Sequence, residues 1–172
     1  MSSVNKTRRF TQLALFVSMA MVLSYMERFI PILPSFPGVK LGLANIITLM
    51  VLLMYSWKEA LIVLVARVTL LSFFTGSGVS FLYSMSGGLL SLLGMKLALR
   101  YTSRVFSLMG VSVIGAFLHN TAQMLVLAAI LGSFTVAVYY YPVLILAAVA
   151  TGSLTGFIAL HLHRHLLRLG RV

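Results

Sequence analysis

The chain has 172 residues, of which 60% are hydrophobic and only 9% charged, where ordinary soluble domains carry about 25% charged residues. So few polar side chains cannot cover a globular surface, which excludes a soluble enzyme and makes lipid the solvent for most of the chain. Thirteen Lys and Arg stand against two acids, Glu27 and Glu59, giving a formal net charge of +11. That sign can signal nucleic acid, but the basic residues sit at the ends of apolar runs, where they act as topology signals and lipid-headgroup contacts. No nucleic-acid partner is expected. Cysteine is absent, so disulfides, iron–sulfur clusters and thiol catalysis are excluded.

In chain order the apolar runs predict six helices in one transmembrane domain spanning residues 1–172. The first covers about 10–29. The apolar run continues beyond Ser18-Met19-Ala20 to Tyr25, so it reads as a retained helix rather than a cleaved signal peptide. A loop with Pro31, Pro34, Pro37 and Gly38 follows. The second helix covers about 40–55, short of the ~20 residues a span needs, and the third 57–74. The fourth covers 79–100, the fifth 106–131 and the sixth 139–161, with Tyr139, Tyr140 and Tyr141 as an aromatic anchor. Backbone groups in hydrocarbon must bond within their own segment, so these runs are helices. A barrel would need alternating polarity, which is absent.

Counting Lys and Arg by side orients the bundle. With the N-terminus cytoplasmic, Lys6, Arg8, Arg9, Lys58, Lys96, Arg100, Arg104, Arg164, Arg168 and Arg171 lie inside. Arg28 and Lys40 lie outside, and Arg67 falls within a helix. The positive-inside rule then places both termini in the cytoplasm, and a multi-pass protein of a prokaryotic cell membrane is expected.

The chemistry open to such a chain is narrow. Magnesium-dependent prenyl transfer uses aspartate clusters, since the ion needs hard oxygen ligands, and the chain has no aspartate. No glycine-rich loop ending in Lys-Ser or Lys-Thr is present, so ATP is not bound by a P-loop. Ser and His lack the acid of a triad. His161 and His165 stand four apart, but no Cys or acid completes a metal site. Neither metal nor cofactor is expected, and the chain is read as non-enzymatic.

The polar residues inside the bilayer carry the functional signal. At about 1.5 Å per residue, Arg67, His119 and Asn120 fall near mid-depth. Gln123 lies one turn above His119. Asn45 falls just outside the middle of the second helix, and Ser84, Ser86, Gly87 and Gly88 in the outer half of the fourth. A charge at mid-bilayer costs at least about 2.5 kcal/mol on insertion scales, so Arg67 must face the interior or a cavity. Each of the others alone reads as interhelical glue. Together, Asn45, Arg67, Ser86, His119, Asn120 and Gln123 predict a pocket for a small molecule.

Several of these residues carry a resemblance over nearly the whole chain. The stretch Pro37-Gly38-Val39-Lys40-Leu41-Gly42-Leu43-Ala44-Asn45 is one part. Arg67 with Gly76, Ser84-Met85-Ser86-Gly87-Gly88, and Gly115-Ala116-Phe117-Leu118-His119-Asn120 with Gln123 are the others. They resemble the signature of the Gx transporter family, often labelled heptaprenyl diphosphate synthase component I. That family is similar to the substrate-binding S components of energy-coupling factor (ECF) transporters. The resemblance implies six helices, a pocket in the outer half capped by the first loop, uptake of a small nutrient or precursor, and ECF transmembrane and ATPase partners. S components dock their partner through Ala-x-x-x-Ala on the first helix. Here the spacing is kept by Ala14 with Ser18, and by Ala20 with Ser24, without the full motif. The label itself offers the alternative of an accessory subunit in isoprenoid or quinone biosynthesis.

Overall fold

A computed structural model describes residues 3–29, 42–101 and 107–168. The described residues are helical: α1 (Ser3–Met26) with a 3-10 turn at Glu27–Phe29, α2 (Leu43–Met54), α3 (Trp57–Thr75), α4 (Gly78–Leu99), α5 (Leu108–Leu131) and α6 (Thr135–Arg168). No strand occurs among them. Four helices are by themselves long and apolar enough to cross a membrane, at Lys6–Met26, Gly78–Leu99, Leu108–Leu131 and Ala137–Leu166. The chain is an all-α membrane bundle.

The helix ends follow local chemistry. Ser56, Ser77 and Ser107 cap α3, α4 and α5 with their hydroxyls, and Gly76 and Gly132 close α3 and α5 in the left-handed conformation. Three helices differ in their bounds from the sequence reading. α1 begins at Ser3 rather than near residue 10, its polar first turns held to α3 by the Arg9–Glu59 pair, and it gives way to the 3-10 turn after Met26. α2 begins at Leu43 rather than near residue 40, because Gly42 has φ 72° and ψ 26°, outside the right-handed helix. α6 starts before Tyr139 and runs on to Arg168, because its last turns place Leu162 and Leu166 against the core cluster formed by α2, α4, α5 and α6. Pro31, Pro34, Pro37, Gly38, Lys40 and Leu41 of the first loop lie outside the described residues, as does Arg104.

α2 is the pivot of the bundle and touches all five other helices. Every residue from Ala44 to Val51 is buried, as befits a helix apolar on all sides. Ile47 and Val51 join Ala20, Val63, Leu64 and Leu92 in one core cluster. Ile46, Leu49 and Met50 join Met95, Val111 and Ala159 in the other. On its far side α5 packs along α6, where glycines let the backbones close up. A Cβ at Gly152 would lie 2.5 Å from the Cα of Val113. Ser112 and Thr155 then pair through their hydroxyls at 2.7 Å.

Polarity is inverted relative to a soluble protein. Phe73 is 83% exposed and Leu146 72%, while Thr48, Ser91, Ser112, Thr151 and Thr155 are buried. Lipid as the outer solvent accounts for both, since only the interior supplies hydrogen-bond partners. Cross-links fix the levels of the helices. Arg9 pairs with Glu59, Gln12 accepts from the Tyr55 hydroxyl at 2.7 Å, and the Lys96 ammonium lies 4.0 Å from the Trp57 ring centre. The start of α1, the α2–α3 turn and the end of α4 therefore share one face. The end of α1 meets the start of α2 on the other side of the bundle, where Glu27 accepts from the Leu43 amide.

Along α1, Ala14 and Ser18 face outward, whereas Ala20 is fully buried and Ser24 accepts a hydrogen bond from Arg67. Of the two small-residue pairs, only Ala14 with Ser18 lies on an accessible face.

Candidate functional site

The site forms where a short helix begins inside the bundle. The left-handed turn at Gly42 lets the chain enter α2 with its first amides pointing back toward the end of α1. Gly42 has no side chain with which to cap them. Glu27 performs that role from the 3-10 turn, accepting from the Leu43 N–H at 2.8 Å. A carboxylate at a helix N-terminus is favoured by both the hydrogen bond and the helix dipole. At 8% exposure Glu27 is buried. It is one of the chain's two acids, and it serves to anchor α2.

Arg67 stands ten residues into α3, about 15 Å from its start, and is 5% exposed. Its Nη1 donates to Ser24 Oγ of α1 at 3.0 Å. Its Nε and Nη2 are buried without a hydrogen-bond partner among the described residues, as is Nδ2 of Asn45. Buried polar groups are almost always satisfied, so three such donors in one place mark a site that expects a further component.

These groups line one cavity. Ser24 and Glu27 come from α1 and its 3-10 turn, and Asn45 from the first turn of α2. Arg67 and Ser72 come from α3, Ser80 and Ser84 from α4, and His119 from α5. The cavity is small, about 20 Å³, on the order of the room one or two ordered waters need. It is therefore narrow, and Gly42, Ala44, Val68 and Leu71 share its wall with the polar side chains. His119 is held by its neighbours: Gln123 Nε2 lies 2.9 Å from its Nε2, and its ring fills the notch left by Gly87, where a Cβ would approach to 2.8 Å.

Of the six residues expected to form a pocket, Asn45, Arg67 and His119 meet on the cavity wall, and Gln123 backs His119. Asn45 sits in the first turn of α2 rather than near its middle, because α2 begins at Leu43. Asn120 points the other way and donates to the Leu144 carbonyl of α6 at 3.4 Å. The Ser86 hydroxyl donates to Leu82 O of its own helix at 2.7 Å, and Ser84 takes its place on the wall. Ser72 and Ser80 were not singled out from the sequence. Their signal was the four-residue spacing: Ser72 follows Val68 and Ser80 precedes Ser84 on the faces that meet here.

A second depression lies near the C-terminal end of α6, lined by His161, Arg164, His165 and Arg168. These residues share one exposed face at i, i+3, i+4 and i+7. Among the described residues no group of three or more His, Cys, Asp or Glu gathers in a way that could hold a metal ion.

A family model described as heptaprenyl diphosphate synthase component I matches residues 16–162. The matched span contains every residue of the cavity wall. No curated protein matches the chain, and no solved structure does.

Proposed function

We propose that this chain, which belongs to the heptaprenyl diphosphate synthase component I family, is the substrate-binding membrane subunit of a transporter that takes up a small nutrient or precursor. The observation that carries this reading is Arg67, buried at mid-bundle on a cavity wall with its Nε and Nη2 groups unpartnered among the described residues. In hydrocarbon such an arrangement is costly unless a polar ligand completes it. The chain has no ATP-binding loop, so transport draws on a partner ATPase or an ion gradient. Docking to ECF-type transmembrane and ATPase subunits would use the outward face of α1 at Ala14 and Ser18.

The family's name favours a second reading, an accessory component working beside a catalytic partner in isoprenoid or quinone synthesis. In either reading this chain does no prenyl transfer itself, because it has no aspartate to hold magnesium diphosphate. Native mass spectrometry of the freshly purified protein, with Arg67→Met beside it, separates the readings. A co-purified small molecule bound to the natural protein and lost from a monodisperse Arg67→Met variant is expected. Equal ligand retention by both would remove Arg67 from the site. Chain elongation by the pure protein with magnesium, an allylic starter and isopentenyl diphosphate would overturn the non-enzymatic assignment.

A further inference from the structure

Three donors on the cavity wall lack a hydrogen-bond partner among the described residues, and behind the wall the Gln123 Oε1 acceptor lacks one too. The donors are Arg67 Nε, Arg67 Nη2 and Asn45 Nδ2. The one carboxylate on the wall, Glu27, already caps α2 through Leu43. A ligand that completes this site must bring acceptors.

The geometry of Arg67 narrows the class. With Nη1 held by Ser24, the guanidinium plane is fixed. Nε and Nη2 form one edge of that plane, with two parallel N–H groups at the spacing of carboxylate oxygens. We infer that the ligand of this cavity carries a monoanionic carboxylate, gripped side-on by the Nε–Nη2 edge of Arg67 and bonded by the Asn45 amide. This rests on the substrate-binding reading and names its substrate class.

Charge favours a carboxylate over a phosphate. Arg67 and Glu27 bring one charge of each sign to the wall, and the α2 N-terminus offsets part of Glu27. A carboxylate adds one negative charge and a phosphate dianion nearly two, in surroundings where uncompensated charge is expensive.

The test uses thermal unfolding of the purified full chain in detergent, with propionate, propionamide or inorganic phosphate at matched ionic strength. Propionate is expected to raise Tm by several degrees, and the other two to leave it unchanged. In Arg67→Lys the charge remains but the fork is gone, so the propionate shift should disappear. Asn45→Asp, which places a second carboxylate on the wall, should abolish the same shift and serves if Arg67→Lys does not fold. Phosphate stabilising as well as propionate, or a propionate shift that survives both substitutions, overturns the inference. Native mass spectrometry distinguishes the two levels of failure. A co-purified molecule without a carboxyl group, lost from Arg67→Lys, keeps the substrate-binding reading and sinks the carboxylate class. Neither a Tm shift with any anion nor a co-purified molecule sinks both.

Discussion

At the scale of single residues the interior chemistry was largely legible. An arginine cannot sit at mid-bilayer facing lipid, and Arg67 is 5% exposed within the bundle. Depth is readable from residue counting, which sets Arg67 and His119 near mid-depth; Asn45 lies further out, in the first turn of α2. Helix rotation was not readable. Asn120 and Ser86 turn elsewhere, Asn120 to the Leu144 carbonyl and Ser86 to the Leu82 carbonyl of its own helix, because a few polar residues on an otherwise apolar helix give no stripe to fix the face. Gly87 shows how a small residue serves a polar one. It leaves the notch in which the His119 ring sits, and a Cβ there would come within 2.8 Å of Cε1 and Nδ1. Gly87→Ala is therefore expected to lower stability by about 1–3 kcal/mol through overpacking and to weaken ligand retention at the same time. Denaturant unfolding in detergent measures the first and native mass spectrometry the second. A variant with unaltered stability would show that the ring moves aside freely.

At the scale of elements, the five longer helices were recognisable as apolar runs, though the polar first turns of α1 and last turns of α6 were not. α2 was the hard case. Its 12 residues are too few for an ordinary span, and its start is set by the backbone at Gly42 and by Glu27, sixteen residues earlier in the chain. A contact between distant residues leaves no periodic trace. The physical consequence is testable. Glu27→Ala removes the acceptor of the Leu43 amide and the charge that meets the helix dipole, and should cost about 1–3 kcal/mol. Glu27→Gln keeps an acceptor and should cost less. Unfolding curves for the pair decide it, and equal stability of Glu27→Ala and the natural protein would deny Glu27 its capping role. Because α2 touches every other helix, loosening its first turn should also reach the cavity, and both variants should retain less ligand.

At the scale of the whole molecule, the question is whether the short α2 and the charged α3 cross the membrane or form a hairpin dipping in from one side. By length and apolarity alone four helices qualify as spans, so counting does not answer it. The contacts across the bundle do. If the α2–α3 turn stopped inside the bilayer, Ser56 and Trp57 would lie level with the middle of α1. Instead Glu59 pairs with Arg9 near the start of α1, and Trp57 lies against Lys96, near the end of α4. The turn thus reaches the same face as the basic residues that the positive-inside rule assigns to the cytoplasm. The α3–α4 connection at Ser77 and the α5–α6 connection at Ser133 belong to the opposite face. The chain contains no cysteine, so introduced ones report without background. Lys58→Cys should react with an impermeant thiol reagent only after permeabilisation, whereas Ser77→Cys and Ser133→Cys should react in intact cells. Lys58 is exposed and makes no side-chain contact in the Ser56–Glu59 capping box, so its replacement leaves α3 capped. Labelling of Lys58→Cys in intact cells would mean that the α2–α3 turn faces outward, and the topology built on these contacts would fall with it.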